Sequence, residues 1–310
     1  MSAVVVATAF GGPEVLSVVE QTSPEPGPGE VRIAVRAAGV NPVDYKRYNG
    51  TMGADPAQLP IRLGAEAAGV VTAVGAGARA TVGDEVIAFR AAGAYAAEVV
   101  VPAEALTTKP PELPWDQAAG LLLAGCTAEH TMVATDVHPG DTVLIHGGAG
   151  GVGLMAVQLA VGRGAQVVAT ASARHHDRLR GLGAVPVTYG NGLADRVRAV
   201  APAGIDVALD LVGTDEAMAV SLELVAERSR IATIVAYARA SELGVLGLGG
   251  GPGGDPGTEI RAAARPKLAH LAETGALRIL VASTYPLDQA AAAHREIQAG
   301  HTSGKIILRP

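Results

Sequence analysis

The chain has 310 residues, of which 49% are apolar and only 17% charged, with a formal net charge of −6. That length exceeds one ordinary core and favours two domains. No long basic stretch exists to neutralise phosphates, which argues against nucleic-acid binding. The N-terminus lacks the basic region and apolar core of a secretory signal. The run around Leu121 to Leu123 is far too short to span a bilayer, and a single cysteine, Cys126, fits a reducing compartment, so the expected location is the cytoplasm.

Met1 to Phe10 opens the chain as a strand. Short β-branched runs follow at Val31 to Val35, Gly69 to Val74, Glu85 to Phe89 and Ala97 to Val101, separated by turn signals at Pro24 to Gly29 and Gly83-Asp84. A proline-punctuated stretch, Lys109 to Pro114, marks a boundary. Asp116 to Thr135 then reads as a helix, and strand–helix alternation begins. The expected strands are Thr142 to His146, Gln166 to Ala171, Val185 to Tyr189, Asp206 to Leu211 and Arg230 to Ala236. Between them lie helices at Gly151 to Arg163, Arg174 to Leu182, Leu193 to Val200 and Asp215 to Ala226. Such spacing implies parallel βαβ units. Gly244 to Gly257 reads as a glycine-rich loop holding one short strand. A helix near Glu259 to Glu273, a strand near Ile279 and a helix after Pro286 complete the chain. The simplest account is an α/β domain, a Rossmann-type doubly wound sheet over residues 118–255, inserted into a β-rich domain made of residues 1–117 and 256–310.

Asp141 to Gly153 reads DTVLIHGGAGGVG, in which Gly148, Gly150 and Gly153 satisfy G-x-G-x-x-G between a strand and a helix. The first glycine permits a tight turn, the second a close approach to a pyrophosphate, and the third close packing of helix on strand. Gly151, Val152 and Gly153 then offer helix-start amides to phosphate oxygens. The second strand ends in Ala171-Ser172-Ala173-Arg174, without the acidic residue that an NAD site uses for the ribose 2′-hydroxyl. Ser172 and Arg174 suit a 2′-phosphate instead, which points to NADPH. The bland reading makes Ser172 a helix N-cap and Arg174 a solvated residue. His175 and His176 are nearby histidines of the same kind.

Further motifs, VNPVD at Val40 to Asp44, LGAEAAGVVTAVG at Leu63 to Gly75, VGDEV at Val82 to Val86, LAGCTA at Leu123 to Ala128, DVALDLVG at Asp206 to Gly213 and HTSGKIIL at His301 to Leu308, follow in order. Together they resemble the medium-chain dehydrogenase/reductase superfamily, in its quinone oxidoreductase (zeta-crystallin-like) branch, over almost the whole chain. The resemblance implies a GroES-like catalytic domain around the inserted cofactor domain, and a homodimer. It also raises zinc, which that superfamily's alcohol dehydrogenases carry. Here the Gly-His-Glu metal signature stands as Gly64-Ala65-Glu66, and one cysteine cannot supply a four-cysteine site, so a zinc-free protein is expected.

For such a protein the resemblance implies hydride transfer from NADPH to a quinone or another α,β-unsaturated carbonyl compound. It points to the loop GVNPVDYKRYNG. The Asn41 amide would bond the substrate carbonyl or the cofactor ribose, while Asp44 organises the loop through backbone bonds. Tyr45 would stack on a flat substrate or donate a proton; it reads equally as a core aromatic. On the cofactor side it assigns Thr127 to the nicotinamide region, Tyr189 to the adenosine phosphate, and Val212 and Gly213 to the nicotinamide ribose. Ala236 and Tyr237 would line the cofactor site, and Lys305 either touches the cofactor or lies on the surface. Two other readings stand beside this one: an enoyl reductase acting on a thioester or biosynthetic intermediate, and a non-catalytic NADPH-binding redox sensor.

Overall fold

The computed structural model describes residues 1–310, which divide into two compact units. One comprises Met1–Leu123, Leu268–Thr274 and Ile279–Pro310; the other comprises Ala124–Lys267 and Gly275–Arg278. The chain passes between them a few residues beyond the boundaries expected at 117/118, and 12 residues beyond 255/256 on its return.

The first unit is β-rich. The long strand Glu30–Val40 is its backbone, pairing antiparallel with Glu66–Val74, with Glu98–Pro102 and with the C-terminal strand Lys305–Arg309. A smaller three-stranded sheet holds Ser2–Ala7 between Leu16–Gln21 and Ile61–Arg62. Alternation along Glu30–Val40 buries Val31, Ile33 and Val35 against Val71, Val86 and Ile306 in one core. The pairing of Lys305–Arg309 with Glu30–Val40 brings the C-terminal lysine beside the loop that begins at Asn41.

The second unit is a six-stranded parallel sheet. From edge to edge its strands are Ala184–Val187, Gln166–Thr170, Thr142–His146, Val207–Asp210, Ile231–Thr233 and Leu246–Gly247. Numbered within the unit this is the order 3-2-1-4-5-6 of a dinucleotide-binding fold, and the direction reverses beside Thr142–His146. The turn that begins at Gly147 therefore opens at the switch point where such sheets bind ligands. Thr142–His146 is buried throughout, as expected of a central parallel strand.

Several elements differ from their expected extent, each for a local reason. The helix expected over Asp116 to Thr135 is two helices, Trp115–Ala119 and Leu122–Ala134, because tight turns close at Gly120 and Leu121. Arg174 to Leu182 opens with a 3-10 turn, Ala173–His175, before the α-helix His176–Gly181. The strand expected to reach Ala236 stops at Thr233, whose Oγ1 accepts from the Val235 and Ala236 amides and turns the chain into a helix, Tyr237–Leu243. The strand near Ile279 runs from Val281 to Pro286. No helix is long and apolar enough to cross a membrane.

Candidate functional site

In the Rossmann-type unit, the helix Gly151–Gly162 starts directly after the glycine turn, with Gly150 as its N-cap. The Gly147 amide donates to Thr170 Oγ1 at 3.1 Å and the Gly148 amide to Thr170 O at 2.9 Å, which fastens the turn to the neighbouring strand. A Cβ on Gly153 would lie 2.1 Å from Gly147 O, so only glycine lets the helix sit this close to the turn. The first amides of the helix, those of Gly151, Val152 and Gly153, have no partner within the helix. They fit a pyrophosphate.

Beyond the next strand, Ser172 precedes the 3-10 turn but makes no side-chain cap bond, so its hydroxyl is not spent as the N-cap reading requires. Arg174 is exposed, and its Nε donates to His175 Nε2 at 3.1 Å. His175 is held below the usual histidine range by partial burial and then by the positive charges of Arg174 and Arg178 and by His176. A cluster of this sign favours a phosphate over a hydroxyl.

Tyr189 stands 59% exposed on a loop tied down from behind. Arg196 donates to Thr188 O, Gly190 O and Asn191 O, and the Gly190 amide donates to Glu216 Oε2. Val212 and Gly213 are held equally well. Asp210 Oδ1 accepts from both their amides, and Asp210 Oδ2 accepts from Thr233 Oγ1 at 2.8 Å. One buried carboxylate thus joins the turns that follow two adjacent strands, the second of which carries Ala236.

Tyr237 has its phenol tied to Ile234 O at 2.8 Å, and its ring is wrapped by the glycine-rich loop. A Cβ on Gly249, Gly251 or Gly254 would come within 2.3, 2.4 or 2.8 Å of Tyr237 or the loop's own carbonyl. The loop is glycine-rich because it packs edge and face against this ring. Thr127 receives a hydrogen bond from Arg261 Nη1 at 2.9 Å, and Arg261 Nη2 lies 3.4 Å from His130 Nδ1. Arg261 carried no sequence signal, being one of two arginines on its helix.

In the β-rich unit, Asn41, Asp44 and Tyr45 share the loop expected to carry substrate contacts. Asn41 caps the short helix Pro42–Lys46, and its backbone amide donates to Asp44 Oδ2 at 2.8 Å. Asp44 therefore does organise the loop. The Asn41 side chain is fully engaged: Nδ2 donates to Glu66 Oε1 at 2.9 Å and Gly39 O at 3.2 Å, while Oδ1 accepts from Lys305 Nζ. Neither amide hydrogen is free for a ligand in this conformation. Lys305 is no surface residue: its side chain is 4% exposed and pairs with Glu66 at 2.9 Å. Gly39 makes room for this pairing, since a Cβ there would lie 2.4 Å from Glu66 Oε1. Tyr45 is half-buried, and that burial raises its phenol above the ordinary tyrosine range.

Behind Asp44 runs a buried chain that the sequence did not disclose. Tyr95 O–H donates to Asp44 Oδ2 at 2.8 Å; His294 Nε2 lies 3.3 Å from the Tyr95 oxygen and Nδ1 lies 2.7 Å from that of Tyr48. A neutral His294 protonated on Nε2 satisfies every member: it accepts from Tyr48 and donates to Tyr95. Burial pushes His294 down to about 4, in accord with that form. Burial lifts Asp44 to about 7, against the lowering effects of Tyr95, Asn41 and Lys305.

Residues 27–138 match the alcohol dehydrogenase GroES-like domain, and residues 182–308 match a domain described as zinc-binding dehydrogenase. A quinone oxidoreductase of Pseudomonas aeruginosa is 36% identical, over 97% of this chain and 98% of its own. A 2-haloacrylate reductase of a Burkholderia species is 35% identical, over 97% and 96%. The Escherichia coli quinone oxidoreductase complexed with NADPH matches with a TM-score of 0.87 at 28% identity, over 99% of this chain and 100% of that one. Zinc does not fit the residues present. No group of three or more His, Cys, Asp or Glu side chains converges, and Ala65 stands where the metal signature has histidine. Glu66 spends both oxygens on Asn41, Lys305 and the Leu123 amide, and the Cys126 thiol donates to Arg261 O at 3.5 Å.

Proposed function

The chain belongs to the medium-chain dehydrogenase/reductase superfamily, in its quinone oxidoreductase branch, and we propose that it reduces a quinone or other α,β-unsaturated carbonyl compound with NADPH, without a metal. The observation that carries this reading is the pairing of an intact glycine turn at the sheet's switch point with a cationic, acid-free end to the second strand. The names of its relatives support it: two reduce quinones or a haloacrylate by their description, and one was solved with NADPH.

When bound, NADPH supplies the hydride. The protein's residues then bind and orient. Amides of Gly151, Val152 and Gly153 hold the pyrophosphate, Gly148 and Gly150 allow it close, and Ser172 and Arg174 take the 2′-phosphate. Tyr189, on its braced loop, covers the adenosine side. Thr127, Val212, Gly213, Ala236 and Tyr237 shape the nicotinamide region. With no Lewis acid, the negative charge that develops on the substrate oxygen needs hydrogen-bond donors; Tyr45 is the candidate on a loop that Asp44 organises, and Asn41 joins it only by releasing Glu66 or Gly39. An activated double bond needs no more, because its own conjugated carbonyl accepts the charge. The reading extends to a cytoplasmic homodimer on the superfamily resemblance.

The test is steady-state oxidation of NADPH, and of NADH, against small quinones and conjugated enones, before and after dialysis with a chelator. Chelator-insensitive turnover with NADPH at least tenfold more effective than NADH supports the proposal. Turnover lost with the chelator, or a preference for NADH, overturns it.

A further inference from the structure

The cluster behind the Asn41 loop contains two carboxyls, Asp44 and Glu66, and one ammonium, Lys305, all buried. If all three were charged, the cluster would hold a net negative charge away from water, which is unfavourable for an unpaired ion. The hydrogen bonds distinguish the two carboxyls. Glu66 has donors on both oxygens: Asn41 Nδ2 and Lys305 Nζ on Oε1, and the Leu123 amide on Oε2. Asp44 has two donors on Oδ2 and none on Oδ1, which is fully buried. An ionised oxygen left bare costs more than a neutral hydroxyl in the same place. Lys305 is meanwhile committed to Glu66, to Asn41 Oδ1 and to Val40 O at 3.5 Å, and its stem packs 3.1 Å from where a Cβ on Gly120 would lie.

We propose that Lys305 is a positioning residue for the reduction: clamped to Glu66 it fixes the Asn41 amide, and by balancing only one of two buried carboxyls it leaves Asp44 as the neutral acid. This rests on the function proposed above. With Asp44 neutral, the loop presents no net charge to the oxyanion that forms when hydride arrives; with Asp44 ionised, a buried negative charge opposes it. The groups that face Asp44 are Tyr95, Lys305 and Glu66, with Tyr48, Tyr45 and His294 behind them. Lys305 draws the ionisation of Asp44 to lower pH, and Glu66 drives it to higher pH.

The experiment measures kcat and KM of the full-length protein with NADPH and a small quinone across pH, with NADPH affinity read separately by fluorescence. The wild-type rate is expected to fall as pH rises through about 7. Lys305→Met moves that limb up by roughly one pH unit and lowers kcat at least tenfold, while NADPH affinity stays within about twofold. Lys305→Arg recovers part of kcat, and Glu66→Gln moves the limb down. A purely structural role produces no opposed shifts, so limbs that stay put or move together overturn the assignment. A second readout needs neither turnover nor the variants. Infrared spectroscopy of the wild type should show a protonated carboxyl band at neutral pH that is lost in Asp44→Asn. If quinones and enones are not reduced while this band is present, the proposed function fails and the charge assignment stands. If the band is missing, the assignment fails whatever the activity.

Discussion

Arg196 shows how one side chain, with no ligand of its own in view, governs another. It holds three carbonyls on either side of Tyr189, those of Thr188, Gly190 and Asn191, so Arg196→Ala should release that loop without touching the sheet. Each lost charged hydrogen bond contributes about 1.5–3 kcal/mol, and solvent exposure of the loop discounts that to the lower end. NADPH affinity is expected to fall about tenfold, read by fluorescence titration, and the thermal midpoint to fall by several degrees. Equal affinity in the variant would detach Tyr189 from cofactor binding. Gly153→Ala makes the contrasting prediction. Its methyl would meet a backbone carbonyl that cannot step aside, so stability should drop by about 1–3 kcal/mol and NADPH binding should be lost with it. At this scale the packing of Gly153 and the loop bond of Asp44 were legible, because their chemistry is written in short motifs. It did not disclose Glu66 as the partner of Asn41, the buried place of Lys305, or Tyr95 and His294, since contacts between residues 25 to 264 positions apart bring them together.

Element by element, the glycine-rich loop after the sixth strand changes meaning once Tyr237 is seen inside it. Composition alone reads as looseness; the structure shows small residues lying against a ring. Tyr237→Ala should leave the loop without its support. For a half-buried aromatic this costs about 2 kcal/mol, below the 3–5 kcal/mol of a fully buried one. Hydrogen exchange should rise across Gly247 to Gly254 before it rises elsewhere; uniform protection in the variant would contradict the ring's role. The same element explains why the helix Tyr237–Leu243 escaped the sequence reading. Its first turn is set by Thr233 Oγ1 catching two amides, and nothing in the apolar periodicity announces that. The parallel strands were far more legible, since short apolar runs alternating with helices leave few other arrangements.

For the whole molecule, three buried groups shape stability against pH. His146 and His294 are both pushed down to about 4 by burial, so between pH 4 and 6.5 the unfolded chain binds two protons that the folded chain does not. Asp44, raised to about 7, works the other way: over the same range the folded chain holds one proton that the unfolded chain has lost. Among these three the difference is one proton in favour of the unfolded state, about 1.4 kcal/mol per pH unit, and His130 and His175, also held low by burial, act in the same direction, so stability should rise with pH. Above 6.5 the histidines no longer contribute, and only the Asp44 loss remains until about 7. Replacing His294 by Gln should flatten the rise, as measured by thermal midpoints. A wild-type profile that falls between pH 4.5 and 6.5 would contradict this balance.

The most direct test of the account mixes the preformed NADPH complex with one equivalent of a small quinone or conjugated enone, without added metal, and follows nicotinamide absorbance through a single turnover. Stoichiometric oxidation of NADPH is expected, in step with reduction of the acceptor. Tight NADPH binding with no oxidation by either class would contradict it and mark the chain as a binding protein rather than a reductase.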